Sequence, residues 1–212
     1  MRKLILKMSV SIDGFVGGPN GEIDWIFKTM DEEATNWTLN AVWQAGVHIM
    51  GSRTFYDMAS YWPYSTEVFA APMNAIPKMA FSRKGSLQLK TEDWTTRAFK
   101  DASSVASEKP KAVSPDAASW KEARVASDPK QEITRLKQEP GKDILAHGGA
   151  GFAQSLIQLG LVDEYQLLTH PVALGKGLPL FAAITKPIDF QLVSVTPFKS
   201  GAAAHVYRPI SG

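Results

Sequence analysis

Hydrophobic and polar residues follow two spacings along the chain, and these predict strands and helices in turn. Residues 4–12 alternate apolar with small or polar side chains, as a half-buried strand does. Residues 31–45 carry acidic residues in their first turn and apolar residues at helical spacing, and they stop at Gly46. Further strands are predicted at 47–51, at 77–84 and up to His147, and further helices at 52–62 and 152–159.

Strands that alternate with helices predict an α/β fold whose sheet is covered on both faces. Residues 189–210 contain two strand-like runs around a turn near Ser200 and Gly201, which is typical of an antiparallel hairpin. This hairpin makes the predicted sheet mixed. Residues 13–25, rich in glycine and with a proline and an asparagine, follow the first strand and are expected to form a mobile loop.

The length of the chain favours a single domain over residues 1–212. Of its residues, 44% are hydrophobic, which is enough for a buried core. Residues 92–131 are rich in alanine, serine, lysine and proline and have little periodicity. We expect this segment to be an insertion or a mobile excursion from the domain.

Charge and composition exclude several classes of function. The net charge of +2 does not indicate a nucleic-acid or polybasic membrane surface, and no window is apolar enough to span a membrane. The chain has no cysteine, and its histidines at 48, 147, 170 and 205 lack metal-ligand spacing. We therefore expect a cytoplasmic protein that binds a small molecule and needs no metal ion, nucleic acid or membrane.

Two predicted strands end in residues suited to binding an anion. In HGGAGF, which begins at His147, three glycines separate a buried strand from a helix, and helix N-termini favour phosphate. In IMGSRTF, the residues after the strand are Ser52, Arg53 and Thr54, which supply hydrogen-bond donors and a positive charge. The alternatives are a plain turn at the first strand and N-capping by Ser52 at the second.

A third strand end, in MAFSRK, carries Ser82, Arg83 and Lys84. An acidic residue there would select NAD through its ribose 2′-hydroxyl, whereas serine, arginine and lysine suit the 2′-phosphate of NADP. Because parallel strands end along one edge of a sheet, the three segments can share one dinucleotide. The Rossmann glycine fingerprint is absent, since Gln154 occupies the position of its third glycine.

Taken in this order, HIMGSRTFYDM, AFSRK and ILAHGGAGFAQSL resemble the cofactor-binding segments of the dihydrofolate reductase-like superfamily. MSVSIDGFVGGPNGEIDW and LTHPVALGKGLPLF are similar to one branch, the C-terminal reductase domain of the bifunctional riboflavin-pathway deaminase-reductase and its stand-alone bacterial relatives. The resemblance implies a three-layer α/β/α fold with a mixed, mostly parallel sheet. It also implies NADPH as the cofactor and a homodimer.

Carried over by position, the resemblance implies which residues bind NADPH. Those on the adenosine side and near the pyrophosphate are Gly51, Ser52, Arg53 and Thr54. Those that hold the 2′-phosphate are Ser82, Arg83 and Lys84. The turn that cradles the pyrophosphate comprises His147, Gly148, Gly149, Ala150, Gly151 and Phe152, with a strained or cis Gly148–Gly149 peptide. The loop that closes over the nicotinamide comprises Phe15, Val16, Gly17 and Gly18.

Carboxylates at two places in the sequence are candidates for binding the substrate or taking part in catalysis. Asp13 matches the S-x-D-G phrase of the riboflavin-type branch and is the candidate catalytic and substrate-binding group, with a loop-capping aspartate as the alternative. Dihydrofolate reductases proper carry a carboxylate at the start of the next helix, where this chain has Asp31, Glu32 and Glu33. These acids are also explained by the helix dipole alone.

Trp25, Tyr61 and Trp62 are candidates for the walls of a site for a flat heterocycle, with core packing as the alternative. The leading hypothesis is an NADPH-dependent oxidoreductase that transfers hydride to a small heterocyclic substrate. By resemblance this is a 5-amino-6-(5-phosphoribosylamino)uracil reductase of riboflavin biosynthesis. The alternatives are a dihydrofolate reductase proper and a non-catalytic nucleotide-binding protein of the same fold.

Overall fold

The computed structural model describes residues 1–87, 114, 117–182 and 184–210. Eight strands of these residues form one sheet: β1 (Leu4–Ser11), β2 (Val47–Gly51), β3 (Lys78–Phe81), β4 (Arg124–Ala126), β5 (Ile144–Ala146), β6 (Glu164–His170), β7 (Phe190–Pro197) and β8 (Ala203–Pro209). Their order in the sheet is β4-β3-β2-β5-β1-β6-β8-β7. All pairings among β1 to β6 are parallel, whereas β8 pairs antiparallel with β6 and β7. The predicted mixed, mostly parallel sheet is confirmed.

The helices connect the strands and cover the sheet. They are α1 (Asp24–Phe27), α2 (Glu32–Trp43), α3 (Ser52–Tyr61), a 3₁₀ turn (Trp62–Tyr64), α4 (Ala70–Ala75), α5 (Ala118–Lys121), α6 (Pro129–Gln138) and α7 (Ala150–Gln158). Local sequence sets where two of them begin. Asp31 accepts a hydrogen bond from the Ala34 amide at 2.8 Å, and Asp128 caps α6 in the same way.

Alternation along β1 divides the core into two layers. Leu4 and Leu6 face one side of the sheet, where they pack with residues of α6 and α7. Ile5 faces the other side, where it packs with Phe55 of α3 and residues of α2 and α4. Helices therefore cover both faces, and the three-layer α/β/α architecture is confirmed. We name these the first face (α6 and α7) and the second face (α2 to α5).

The segment 92–131 differs from its prediction where the structure describes it. Residues 92–113 lie outside the described residues, but residues 117–131 contain α5, β4 and the start of α6. β4 pairs with β3, with Met79 opposite Arg124, and forms one edge of the sheet. The sequence missed this strand because its three residues are mostly exposed and show no apolar alternation.

The loop after β1 was predicted to be mobile, but backbone hydrogen bonds join it to residues 177–180. The Val16 amide donates to Leu178, and the Leu178 amide donates to Gly17, both at 2.9 Å. A Cβ atom on Gly177 would lie 2.3 Å from the Gly17 carbonyl oxygen, so a glycine is required at this contact. The loop is thus one strand-like half of a paired structure beyond the end of β1.

Among the described residues, no helix is both long enough and apolar enough to cross a membrane.

Candidate active site

The glycine turns after β2 and β5 meet at the C-terminal edge of the sheet. The Gly51 amide donates to the Gly148 carbonyl oxygen at 3.3 Å, and the Gly149 amide donates to Thr54 Oγ1 at 2.7 Å. α3 and α7 both begin at these turns, at N-cap glycines without a side-chain cap. Backbone N–H groups in the first turn of each helix therefore lack an intrahelical partner and favour a bound anion.

Close packing explains why the turns contain glycine. A Cβ atom on Gly51 would lie 3.1 Å from the Cβ of Phe152, and one on Gly149 would lie 3.1 Å from Thr54 Oγ1. Gly148 has a φ of +81°, and a Cβ there would lie 2.8 Å from the Met8 sulfur. The Gly148–Gly149 peptide is cis, as the family resemblance implied. Packing between the two turns, and against Met8, thus excludes side chains here.

Three positively charged side chains follow the ends of β2 and β3. Ser82 is buried, and its hydroxyl accepts a hydrogen bond from the Lys84 amide at 3.3 Å. Arg83 and Lys84 follow β3 on the surface, and Arg53 is exposed in the first turn of α3. No ion pair formed by the described residues involves these three cations. Arginine and lysine side chains are suited to pairing with a phosphate.

The loop with residues Phe15, Val16, Gly17 and Gly18 reaches the same edge of the sheet. Phe15 forms a β-bridge with Pro179, and Gln154 of α7 donates a hydrogen bond to the Pro179 carbonyl at 2.7 Å. Gln154 thereby fixes the loop pair against the helix that follows the HGGAGF turn. This contact gives a structural reason for glutamine where the Rossmann fingerprint has glycine.

Asp13 connects two loops. Its carboxylate accepts hydrogen bonds from Ser11 Oγ at 2.6 Å, from the Leu174 amide at 3.1 Å and from the Gly175 amide at 2.7 Å. The Ser11 hydrogen bond, followed by those of the two amides, lowers the pKa of Asp13 to about 2. These contacts are those of the loop-cap alternative, and the ionised carboxylate is no proton source near neutral pH.

The acids at the start of α2 face the hairpin formed by β7 and β8. Asp31 accepts a hydrogen bond from the Ser200 amide at 2.8 Å as well as capping its own helix, and Glu33 forms an ion pair with Lys199 at 2.9 Å. Glu32 is exposed. The dihydrofolate reductase alternative requires one of these acids to face the site, and the contacts of Asp31 and Glu33 do not meet that requirement.

The three aromatic candidates lie in two different places. Trp25 is buried and packs edge-on against His170, with ring centroids 5.4 Å apart. Tyr61 and Trp62 pack against each other at the far end of α3, about 14 Å along the helix from Ser52 by helical rise. Trp62 also packs against Phe69 in the core of the second face. Trp62 therefore shows the core packing that was the alternative for all three, whereas Tyr61 donates a hydrogen bond to Glu67 at the surface.

The sequence analysis did not consider Lys7, which the structure places next to His147. Leu6 lies opposite Ala146 in the parallel pairing of β1 and β5, so Lys7 and His147 are next in register and point to the second face. The Lys7 ammonium lies 5.8 Å from the centroid of the Trp37 ring, and no described residue accepts a hydrogen bond from it. Burial lowers the pKa of Lys7 to about 8. A lysine at an inward position of an alternating strand was the signal in the sequence.

Two histidines beside Lys7 carry unpaired ring nitrogens. The Nε2 atoms of His147 and His170 are buried and have no hydrogen-bond partner among the described residues. Burial first, and the Lys7 charge second, lower the pKa of His170 to about 4. The pKa of His147 is well below its ordinary value, because of burial first and the nearby His48 and Lys7 next. Both rings are therefore neutral near pH 7 and can exchange hydrogen bonds with a ligand.

The described residues contain no group of three or more histidine, aspartate or glutamate side chains arranged to hold a metal ion. The cluster of Lys7, His147 and His170 has no carboxylate in it. Its chemistry is instead that of hydrogen-bond donors and one ammonium group, which suits the carbonyl oxygens and ring nitrogens of a polar ligand.

Comparison with known protein families identifies the family of this chain. The profile of the RibD C-terminal domain family matches residues 2–204, and the chain belongs to this family. It is 31% identical over 207 residues to the uncharacterized protein YyaP of Bacillus subtilis (strain 168), covering 98% of this chain and 95% of that protein. The resemblance to the riboflavin-pathway reductase domain is thereby confirmed.

Solved structures share the fold. A protein from Shewanella sp. PV-4 superposes with a TM-score of 0.69 at 17% identity, over 99% of both chains. The diaminohydroxyphosphoribosylaminopyrimidine deaminase/5-amino-6-(5-phosphoribosylamino)uracil reductase of Thermotoga maritima superposes with a TM-score of 0.66 at 17% identity. The match covers 99% of this chain and 57% of the Thermotoga protein. The fold is that of the reductase domains of riboflavin biosynthesis.

Proposed function

We propose that this protein is an NADPH-dependent reductase that transfers hydride to a small heterocyclic substrate. One observation carries the proposal: Thr54 joins the two uncapped glycine turns, and these turns lie next to the cluster of Lys7, His147 and His170. The joined turns suit the pyrophosphate of a dinucleotide. The cluster suits a polar substrate that accepts hydride. The turns follow β2 and β5, and Lys7 lies within β1, the strand next to β5.

The residues present fit NADPH. The first turns of α3 and α7 offer backbone N–H groups to the pyrophosphate, and Arg53 lies in the first of these turns. Arg83 and Lys84 lie after β3, where the 2′-phosphate of the adenosine ribose is expected. Phe15 to Gly18 would border the nicotinamide. When bound, NADPH supplies a hydride from its nicotinamide ring.

Lys7 would orient the substrate and hold a proton for it. An ammonium group whose pKa is about 8 is mostly protonated at pH 7. It can donate hydrogen bonds to a carbonyl oxygen or a ring nitrogen next to the carbon that accepts hydride, and such polarisation lowers the barrier. His147 and His170 offer neutral ring nitrogens to the same ligand. Membership of the RibD C-terminal domain family supports a pyrimidine as the substrate class.

An assay of NADPH oxidation against a panel of oxidised pyrimidines, with dihydrofolate included, tests the proposal directly. We expect turnover with at least one pyrimidine and none with dihydrofolate. NADPH binding measured by titration calorimetry should precede the screen. Binding without turnover of any compound would favour a non-catalytic nucleotide-binding protein, and no binding would contradict the proposal.

The first prediction concerns the choice of cofactor. We expect NADPH to bind ten- to a hundredfold more tightly than NADH, since one charge-assisted contact to the 2′-phosphate contributes about 1.5–3 kcal/mol. Arg83→Ala should remove most of this preference and leave NADH affinity nearly unchanged, as measured by calorimetry with both cofactors. Lys186→Ala, an exposed lysine before β7, makes the same change in net charge and should preserve the preference. Equal affinities in the unmutated protein would contradict the assignment of Arg83.

The second prediction concerns Asp13. Asp13→Asn leaves one acceptor oxygen where the carboxylate has two, so the bonds to Ser11 and residues 174 and 175 cannot all persist. We expect turnover to fall about tenfold, equivalent to about 1.4 kcal/mol, with NADPH affinity unchanged. Glu32→Gln, an exposed acid on α2, should have little effect.

The pH profile adds a second measurement to this experiment. Because the pKa of Asp13 is about 2, turnover of the unmutated protein should show no inflection from this group above pH 4. An inflection between pH 4 and 8 that disappears in Asp13→Asn would instead identify Asp13 as a group that exchanges a proton with the substrate.

A further inference from the structure

We propose that Asn20 is a site of spontaneous deamidation, through attack of the Gly21 backbone nitrogen on the carbonyl carbon of the Asn20 side chain. Both residues lie in the loop between β1 and α1, directly after the segment of Phe15 to Gly18 and Pro19. Asparagine is one of the chemically least durable residues of proteins. Asn20 is the only asparagine of the chain that is followed by glycine.

The loop leaves both reacting groups accessible. Asn20 is exposed, and a Cβ atom on Gly21 would meet no other atom within 4 Å. Because residue 21 has no side chain, little steric hindrance opposes a ring that closes between the two residues. The Gly21 amide donates a hydrogen bond to the Gly18 carbonyl at 3.0 Å, and this bond must open before the attack. A turn bond at an exposed loop opens at low free-energy cost.

The other asparagines of the chain lie in protected positions. Asn36 and Asn40 are exposed but belong to α2, and the residues that follow them are tryptophan and alanine. In a helix the next N–H group is bonded to the preceding turn, so it cannot reach the side chain. Asn74 is 1% exposed, donates to the Trp62 carbonyl and accepts from the Trp120 indole. Asn36 and Asn40 are therefore internal references for the rate at Asn20.

The reaction consumes only water and involves no oxidation or reduction. The Gly21 nitrogen gives up its proton and forms a bond to the side-chain carbon of Asn20, and the bond from that carbon to the amide nitrogen breaks. The amide nitrogen takes up the proton and leaves as ammonia, so a cyclic imide joins the two residues. Water then opens the imide at either carbonyl carbon, which yields aspartate or isoaspartate. Each product carries one new negative charge.

The amide group that leaves is one that holds the loop in its turn. Asn20 Nδ2 donates a hydrogen bond to Glu22 Oε1 at 2.7 Å, and the backbone amide of Asn20 donates to Glu22 Oε2 at 2.9 Å. The same carboxylate packs on Gly18, where a Cβ atom would lie 2.3 Å from Glu22 Oε2. Deamidation replaces the Nδ2 donor with a carboxylate, so like charges oppose each other at this contact. The product therefore weakens the packing of Glu22 on Gly18.

The turn adjoins the loop that the proposed function places against the nicotinamide. The Glu22 carbonyl accepts hydrogen bonds from the Gly18 amide at 2.9 Å and from the Trp25 indole at 3.1 Å. A change at Glu22 thus reaches the end of that loop and a buried tryptophan. Any effect on the cofactor rests on the proposed function, whereas the chemistry at Asn20 does not.

Storage of the full chain in warm, mildly alkaline buffer tests the chemistry, with peptide mass spectrometry as the measurement. We expect Asn20 to exchange ammonia for water at least about tenfold faster than Asn36 and Asn40, which corresponds to about 1.4 kcal/mol in barrier height. Asn20→Gln lengthens the side chain, disfavours ring closure and should keep this peptide unmodified. Chromatography should resolve isoaspartate from aspartate among the products. Equal rates at the three asparagines, or aspartate as the sole product, would overturn the proposal.

Hydrogen exchange tests the effect on the loop and needs neither cofactor nor substrate. Asn20→Asp represents one product and should speed exchange of the Gly18 amide about tenfold, because a hydrogen bond is lost and a like-charge pair is gained. Asn20→Asp/Glu22→Gln removes the opposing charge and should restore slow exchange. Asn40→Asp adds the same charge at an exposed position of α2 and should leave the Gly18 amide unchanged.

The two experiments separate this inference from the proposed function. Unchanged exchange at Gly18 in Asn20→Asp would overturn the effect on the loop. Deamidation at Asn20 in a protein that binds no NADPH would contradict the proposed function and support the modification site.

Discussion

Gly149→Val is expected to fold and to lose NADPH binding by a factor of at least a hundred. The substitution places a branched side chain at the N-cap of α7, where the N–H groups of the first turn face the expected pyrophosphate. Losing two charge-assisted contacts of about 1.5–3 kcal/mol each accounts for this effect. Titration calorimetry measures the affinity, and circular dichroism measures the fold.

Packing inside the protein requires a second variant in this experiment. A Cβ atom at position 149 would lie 3.1 Å from Thr54 Oγ1. The valine therefore also displaces the Thr54 side chain, which accepts a hydrogen bond from the amide of residue 149. The double variant Gly149→Val/Thr54→Ala relieves that contact. Its NADPH affinity is compared with that of Thr54→Ala alone. If the double variant binds NADPH as well as Thr54→Ala does, the glycine serves internal packing only. Gln158→Ala, at the exposed end of the same helix, is a control for unrelated change in α7.

Lys7→Met is expected to reduce turnover at least about a hundredfold while leaving NADPH affinity unchanged. The substitution removes a positive charge directed at the substrate and keeps an unbranched side chain of similar length. One hydrogen bond from a charged donor to the reacting group contributes about 3 kcal/mol, which corresponds to this factor. Steady-state kinetics with the pyrimidine found in the screen measures the loss. Unchanged turnover would remove Lys7 from the site.

The same variant changes the pH dependence of stability, and this measurement needs no substrate. Folding lowers the pKa of Lys7 from 10.5 to about 8. Between these values the unfolded chain binds a proton that the native protein does not, so stability of the unmutated protein rises with pH in this window. Below pH 8 both states carry the charge, and the full cost of burying it remains.

Lys7→Met removes this cost at every pH. The free energy of unfolding of the variant minus that of the unmutated protein should therefore be about 3 kcal/mol larger at pH 7 than near pH 10.5. Near pH 10.5 the unmutated protein no longer carries the buried charge, so the stabilities of the two proteins converge. Urea denaturation at several pH values measures the difference. Lys186→Met removes an exposed lysine and should show no such pH dependence. A constant difference for Lys7→Met would contradict burial of the Lys7 ammonium.

The elements of the fold follow from local patterns along the chain. Alternating or continuous apolar runs marked β1, β2, β3 and the hairpin of β7 and β8, and helical spacing marked α2, α3 and α7. The sequence analysis did not predict β4, because its three residues are mostly exposed and show no apolar alternation. Its place in the sheet depends on hydrogen bonding to Met79 and Phe81, which no local signal encodes.

Asp13 shows where local reasoning about the site reaches its limit. Its position after a strand was compatible with a substrate anchor and with a loop cap. The amide of Gly175, which is 162 residues away in the chain, donates a hydrogen bond to one carboxylate oxygen of Asp13. This contact favours the interpretation of Asp13 as a loop cap. In the same way, Ser200 binds Asp31 from the far hairpin, so the acid at the start of α2 serves the fold rather than a substrate.

The sequence by itself determined most of the strands and helices other than β4, the glycine turns and the basic residues after β3, because each depends on neighbours within a few positions. The tertiary structure alone decided which polar side chains from distant segments lie on the same face of the sheet. Lys7 lies on β1, between His147 after β5 and His170 at the end of β6, and parallel pairing of these strands turns all three side chains to the second face of the sheet. Their burial, and the altered pKa values that follow from it, arise from α2 and the loops packed above them. Such packing joins residues that are distant in the chain, so no pattern within one segment could contain it.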